Sequence, residues 1–374
     1  MAIKFLSDRK TLLSLIQPAL SATSNKNTLP ALEGLLFQLQ DNILTVCGYD
    51  LEKGVRTKGE VHPIEEGAVI LNAQKVAAII KNFSDYDIRF EALDNNIVKI
   101  TCDQSDFMIH GLTAEAFPNM PDLGGDRSFC ISRSIMKEMI NATSFAVSQS
   151  DIRPILTGEF FRVENRSLTV VALDNYRMAL CEEKECIFDN EETFSFVVPG
   201  KALNELAKLL DDSDEMLRVE FSAKYVIFKM DNIVLFSRLL EGEFMDYKRA
   251  IPAQSKIFVK LNRNSFEESV SRASLLVDEK MKTPLRCTFS DNVLNIACST
   301  QYGKVNDNLN IEKEGEDIEI GFNHRYLLDV LHICKDDFLK LSLSTPFMSM
   351  MVEPEKESDT GRCLYLILPV KLKD

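Results

Sequence analysis

Apolar and polar positions along the chain repeat one order of elements three times. Each copy opens with a helix whose apolar residues recur at three- and four-residue spacing: SDRKTLLSLIQPAL (7–20), SRSIMKEMINATSF (132–145) and NRNSFEESVSRASL (262–275). A buried strand is expected next, after a Pro-containing turn: LPALEGLLFQL (29–39), RPILTGEFFRV (153–163) and TPLRCTFS (283–290). A shorter strand follows: ILTVCGYD (43–50), SLTVVALD (167–174) and VLNIACST (293–300). Then a strand runs straight into a second helix: VILNAQKVAAIIKNF (69–83), FVVPGKALNELAKLL (196–210) and IGFNHRYLLDVLHIC (320–334). Asn72, Pro199 and Asn323 start those helices, at separations of 127 and 124 residues. Two more strands are expected to close each copy. A fixed period of this length marks an array of domain-sized units. The expected fold is α+β, three tandem copies of a sheet-plus-two-helix domain at 1–124, 125–253 and 254–374.

The helix faces divide cleanly. From Ser132, the buried stripe is Met136, Met139, Ile140, Thr143 and Val147, which leaves Arg133, Lys137, Asn141, Ser144 and Ser148 on the open side. After Pro199, Leu203, Leu206, Ala207 and Leu210 point inward, and Lys201, Asn204, Glu205 and Lys208 outward. After Asn72, Val76, Ile79, Ile80 and Phe83 are the inner set, and Gln74, Lys75, Ala78 and Lys81 the outer. After Asn323, Leu327, Val330, Leu331 and Cys334 are inner, and Arg325, Asp329 and His332 outer. The outer faces are mildly basic. The helix at 262–275 is the weak case, because Glu267 and Glu268 offset Arg263 and Arg272. Pro18 is expected to kink or shorten the first helix.

Charge sharpens this picture. The formal net charge of −14 argues against nucleic acid binding over the whole surface. The densest acidic runs, such as DDSDE (211–215) and EKEGEDIE (312–319), fall between helices, so the basic helix faces stand apart from acidic loops. The nine cysteines form no CxxC pair and are expected to be reduced, mostly buried small hydrophobes; Cys181 and Cys186 carry no metal reading. No apolar run reaches membrane-spanning length, and the first residues lack a signal peptide's apolar block, so a cytoplasmic location is expected. GxGxxG, GxxxxGK[ST], HExxH and GxSxG are absent, and the four histidines form no ligand set. A non-catalytic protein without metal or cofactor is expected.

Eight stretches, in this order, carry a resemblance over nearly the whole chain: TLPALEGLLFQL (28–39), GYDLEKGV (48–55), FPNMPDL (117–123), DIRPILTGEFF (151–161), VVALDNYRMAL (170–180), EGEFMDYKRAIP (241–252), EIGFNHRYLLDVL (319–331) and YLILPVKL (365–372). In these the chain resembles the bacterial β sliding clamps, the β subunits of DNA polymerase III. The resemblance implies a head-to-tail homodimer closed into a ring, six domains and twelve helices around duplex DNA. Such a ring tethers the replicative polymerase as a processivity factor. Held by enclosure, it needs only weak phosphate contacts, which carry no sequence information. The resemblance further implies that the catalytic subunit, the clamp loader, other polymerases and repair proteins dock through a short peptide motif. A protein-interaction scaffold of the same fold that does not encircle DNA is the competing reading, and a hydrolase in an interdomain cleft the third.

Carried over by position, the peptide pocket would comprise Leu156, Leu173, Asn175, Tyr176, Arg177 and Met178 from the second copy. Met245, Arg249 and Ala250 would follow from the next loop, Asn323, Tyr326 and Ser349 from the third copy, and Leu366, Leu368, Pro369, Val370 and Lys371 from the tail. Apolar walls suit a Leu or Phe anchor, and the polar groups fix peptide orientation. Family members often have Pro at Met245 and Gly-His at Asn175-Tyr176, so a differently shaped pocket is implied. DNA would meet Lys26 and, in the matching loop of the second copy, Ser150 and Arg153. The helix faces add Lys75, Lys137, Lys201, Lys208, Arg272 and Arg325. The dimer would pair edge strands, with Phe107 and Ile109 against Leu275 and Leu276 and Lys75 nearby. The stretch 298–307 has one acid, Asp307, so apolar contact and strand pairing would have to dominate closure.

Overall fold

The computed structural model describes residues 3–24, 29–121, 124–150, 152–184, 186–188, 193–278, 283–356 and 360–372. Among them each copy follows one order: a strand, a helix, five strands, a second helix and three strands. The helices are α1 (Arg9–Leu20) and α2 (Ala73–Asn82), α3 (Arg133–Thr143) and α4 (Gly200–Leu209), α5 (Arg263–Ser274) and α6 (His324–Ile333). Side chains of Asp8, Asn72, Asn262 and Asn323 accept from backbone N–H groups in the first turns of α1, α2, α5 and α6. Such a cap is worth about 1 kcal/mol. Pro18 lies inside α1, which runs on to Leu20.

Three expectations are corrected. Three strands, not two, close each copy. The segments after the first helices of copies one and two begin as 3-10 turns, Pro30–Glu33 and Pro154–Thr157, before their strands. The ring of Pro fixes a φ suited to such a turn. Arg133, expected on an open helix face, is buried among Asp211 (3.6 Å), Glu215 (2.6 Å) and Asp231 (2.7 Å). The first residue of a helix does not yet follow the stripe, and three carboxylates outweigh the cost of desolvating one guanidinium.

The strands of the described residues form sheets of 14, nine and four. In the first, Ile233–Arg238 of copy two pairs antiparallel with Lys53–Glu60 of copy one. In the second, Gly361–Ile367 of copy three pairs with Arg177–Glu183 of copy two. The rule is the same: the last strand of one copy joins the fourth strand of the copy before it. Contacts therefore divide the chain into two units that cut through copy two. One is Met1–Arg133 with Phe188–Asn190 and Lys208–Leu239; the other is Ser134–Ile187, Glu191–Ala207 and Leu240–Asp374. Among the described residues two edges of the same kind remain open. Gly303–Asn310 ends the four-stranded sheet and pairs only with Val293–Thr300. Ser105–His110 pairs only with Ile97–Cys102.

The cysteine expectation is also corrected. Cys181 and Cys363 sit opposite one another in the junction ladder and are joined as a disulfide; the other seven cysteines form no disulfide. Neither sequence position hints at the other, because 182 residues separate them.

One buried carboxyl makes stability depend on pH. Glu159, in the strand Gly158–Glu164, is fully buried, and Thr143 Oγ1 lies 2.6 Å from its Oε2. The same hydroxyl is 2.8 Å from the Met139 carbonyl, and its single hydrogen can serve only one of them. Burial pushes the Glu159 carboxyl up to about 8, against the lowering effect of Thr143. Between the ordinary value of 4.5 and that value, the folded chain holds a proton the unfolded chain has released. Stability then falls as pH rises, by about 1.4 kcal/mol per pH unit from this group alone. Urea midpoints of wild type and Glu159→Gln should diverge between pH 5 and pH 8, with only the wild type losing this increment. Parallel pH profiles would show that Glu159 stays ionised.

Candidate functional site

Antiparallel pairing at the second junction sets Met178 opposite Leu366. Side chains two apart on a strand share a face. Val171 and Leu173, Met178 and Leu180, and Leu364 and Leu366 thus line one side of the sheet, where they form a buried apolar cluster with Leu156 and Tyr247. Ile155, Phe160, Phe244, Ile251 and Met351 border it half-buried. Four of the expected pocket residues, Leu156, Leu173, Met178 and Leu366, meet here. Sequence reasoning missed Val171, Leu180, Tyr247 and Leu364, although period-two spacing from the named residues points to three of them.

A tight turn stands at the rim. Asp174 Oδ1 accepts from the backbone N–H groups of Tyr176 (2.7 Å) and Arg177 (3.0 Å). The turn presents Asn175 and Tyr176 to solvent, and the Tyr176 ring stacks on Tyr326 at 5.7 Å. Arg177 is committed to the wall. Its guanidinium pairs with Asp174 and Asp329 and lies 4.8 Å from the Tyr326 ring centroid and 5.4 Å from that of Phe145. Burial pushes the Tyr326 phenol up, helped by Asp174 and opposed by Arg177. The tail is tied at two points: Leu368 N–H donates to the Tyr176 carbonyl and Val370 N–H to the Gly321 carbonyl, both at 2.8 Å. At Gly321 a Cβ would come within 2.4 Å of the Val370 carbonyl oxygen, so glycine is required by close approach.

The remaining expected residues are more loosely gathered. Met245, Arg249 and Ala250 are exposed, and Arg249 pairs with Asp246 at 3.0 Å; the buried Tyr247 ties their turn to the cluster. Asn323 caps α6. Ser349 is half-buried, just before the strand Met350–Pro354, whose Met351 lies opposite Leu366. Leu368 and Lys371 are exposed, and Pro369 and Val370 half-buried. Phe347, 79% exposed, and Met348 precede Ser349 and were not anticipated. The run TPFM gives no period from which to infer an exposed aromatic.

Of the expected DNA-contacting residues, Lys26 lies outside the described residues. Lys75, Ser150, Arg153, Lys201, Lys208 and Arg325 are exposed and Lys137 is half-buried. Arg272 is engaged elsewhere: it pairs with Asp307 at 2.6 Å and with Glu268 at 3.5 Å. Hydrogen bonding from Arg272 holds the Asp307 carboxyl below its ordinary range. On the edge strand of copy one Phe107 is 42% exposed and Ile109 half-buried; at the C-terminal end of α5 Leu275 is 82% exposed and Leu276 half-buried.

Family models for DNA polymerase III beta subunit domains match the whole arrangement in order: the N-terminal domain at residues 3–121, the central domain at 130–246 and the C-terminal domain at 248–371. The beta sliding clamp of Halalkalibacterium halodurans is 31% identical over 381 residues, covering 98% of this chain and 99% of that protein. That of Bacillus subtilis is 29% identical, covering 99% and 100%. The crystal structure of the Bacillus subtilis clamp superposes with a TM-score of 0.95 at 28% identity, covering all of both chains. The Pseudomonas aeruginosa clamp, solved with griselimycin bound, gives 0.94 at 27% identity, again covering both chains fully.

The Gly321 contact predicts a local effect. Gly321→Ala should free the tail and raise amide exchange at Val370 by about tenfold, the loss of one backbone hydrogen bond. Unchanged exchange would mean that the strand and tail can separate without cost.

Proposed function

The chain belongs to the DNA polymerase III beta subunit family, and we propose that it is a non-catalytic sliding clamp. Its homodimer encircles duplex DNA inside the cell and tethers a polymerase to it. The observation that carries this reading is the repeated junction. Within the chain, last strand meets fourth strand twice. The last strand of copy one and the fourth strand of copy three are left with open edges; Phe107 and Met108 are exposed on the first, and in copy three Leu275 is exposed at the C-terminal end of α5. An unpaired edge of that kind is a template for another chain. Head-to-tail pairing of two protomers fills both edges in each and closes the assembly without a free end. Phe107 and Ile109 then meet Leu275 and Leu276, with Lys75 nearby. Apolar contact and strand pairing dominate, because Asp307 already serves Arg272.

The domains of this reading are 1–124, 125–253 and 254–374. DNA passes the exposed cations Lys75, Lys201, Lys208 and Arg325 and the half-buried Lys137, with Lys26, Ser150 and Arg153 on loops. Enclosure makes tight contact unnecessary, so binding should weaken with salt at a log–log slope of about −0.9 per phosphate neutralised. The apolar cluster beneath Tyr176 and the tail receives a short peptide from polymerases, the clamp loader and repair proteins. Burial of an apolar anchor between Met178, Leu366 and Leu368 supplies affinity, and Met245 and Met178 adapt to its shape.

Two experiments separate the ring from the pocket. Phe107→Asp with Leu276→Asp should sediment as a monomer and fail to stay on closed circular DNA after loading, whereas wild type stays until the circle is cut. A wild-type chain that sediments as a monomer, or leaves circles as fast as linear fragments, overturns the ring. Leu366→Ala with Leu368→Ala should weaken binding of a polymerase-derived peptide by about 30-fold or more while the dimer persists. Unchanged peptide affinity overturns the pocket.

A further inference from the structure

The disulfide in the junction ladder is not required by ring or pocket, and its surroundings are those of a reactive pair. Cys181 and Cys363 occupy directly opposed positions on antiparallel strands, with Cα atoms 4.3 Å apart. That spacing matches a pair between ladder hydrogen bonds, where opposed side chains lie closest. The two thiols therefore meet without any backbone movement. Both line an open cleft of about 1160 Å³, whose walls include Met139 on α3 and Lys335 after α6. A small reagent can reach the half-buried Cys363 from that cleft, while Cys181 is buried behind it.

We propose that Cys181 and Cys363 are a reversible thiol–disulfide modification site, oxidised by a low-molecular-weight disulfide, which locks the strand junction between copies two and three. The Cys363 thiolate attacks one sulfur of the reagent disulfide and releases the first small thiolate. The Cys181 thiolate then displaces the second from the mixed disulfide. Two protein thiols are oxidised, one reagent disulfide is reduced, and the two thiol protons end on the two released thiols. Inside a reducing cell such a bond forms and reverses with the thiol pool. Selectivity follows from the surroundings. Cys334 lines the same cleft, but burial pushes its thiol up to about 12, so little thiolate is available there. The consequence is mechanical. The bond lies three rungs from Met178 and Leu366, and it fixes a ladder that otherwise rests on backbone hydrogen bonds and side-chain packing.

This proposal does not rest on the peptide or DNA reading, and its test uses neither. Full-length protein is equilibrated with reduced and oxidised glutathione at set ratios. Free thiols are trapped with N-ethylmaleimide under denaturing conditions, and the cysteines are mapped by mass spectrometry. Oxidising ratios should give seven labelled cysteines and one Cys181–Cys363 cross-linked peptide, with nine labelled after dithiothreitol. Amide exchange at Leu180 and Leu364 should be about tenfold slower in the oxidised state, and Cys363→Ser should abolish the difference. Nine labelled cysteines at every ratio, or a link through Cys186 or Cys334, would overturn the site. Equal amide exchange in the two states would overturn the lock. The mapping uses wild-type protein, so it stands even where the serine variant folds poorly.

Discussion

A strand at the edge of a sheet must find a partner for its backbone N–H and C=O groups or leave them to water. Much of this protein's organisation follows from how that constraint is met. Each junction between copies is a ladder of main-chain hydrogen bonds, Ile233–Arg238 on Lys53–Glu60 and Gly361–Ile367 on Arg177–Glu183. The ladders bind so closely that copy two is shared between two contact units rather than standing alone. Ring closure, in the proposed reading, is the same bond made a third time between protomers.

The apolar cluster is a by-product of the second ladder. Pairing Met178 with Leu366 turns the alternate side chains of two distant segments to one side, where they gather with Leu156 and Tyr247. The tail lies against this cluster because glycine at 321 lets its backbone approach. Arg177 illustrates how the surroundings reassign a charge. It is held by Asp174 and Asp329 and stacked on Tyr326, so it shapes the wall and offers little free charge to a ligand. Arg272 is withdrawn in the same way by Asp307.

Much of this was legible in the chain. Helical periodicity placed the six α-helices of the described residues, and Asn72 and Asn323 cap the helices they were expected to start. The expected inner residues of α6, Leu327, Val330, Leu331 and Cys334, are buried. Failures came where local pattern competes with a distant group. Arg133 reads as an exposed helix residue until three carboxylates from 211–231 surround it. Glu159 sits in a strand of apolar neighbours, and its burial against Thr143 depends on where α3 lies.

The triplication, the order of strands and helices and the inner face of most elements can be read from the chain alone, because these are set by spacing within a few residues. Which strand edges meet is settled by the folded chain. It set Cys181 against Cys363, brought Met178 to Leu366, and left the edges at 105–110 and 303–310 open. Register between segments nearly two hundred residues apart leaves no local periodic trace; it is chosen by the sum of backbone pairing and side-chain burial over the whole sheet.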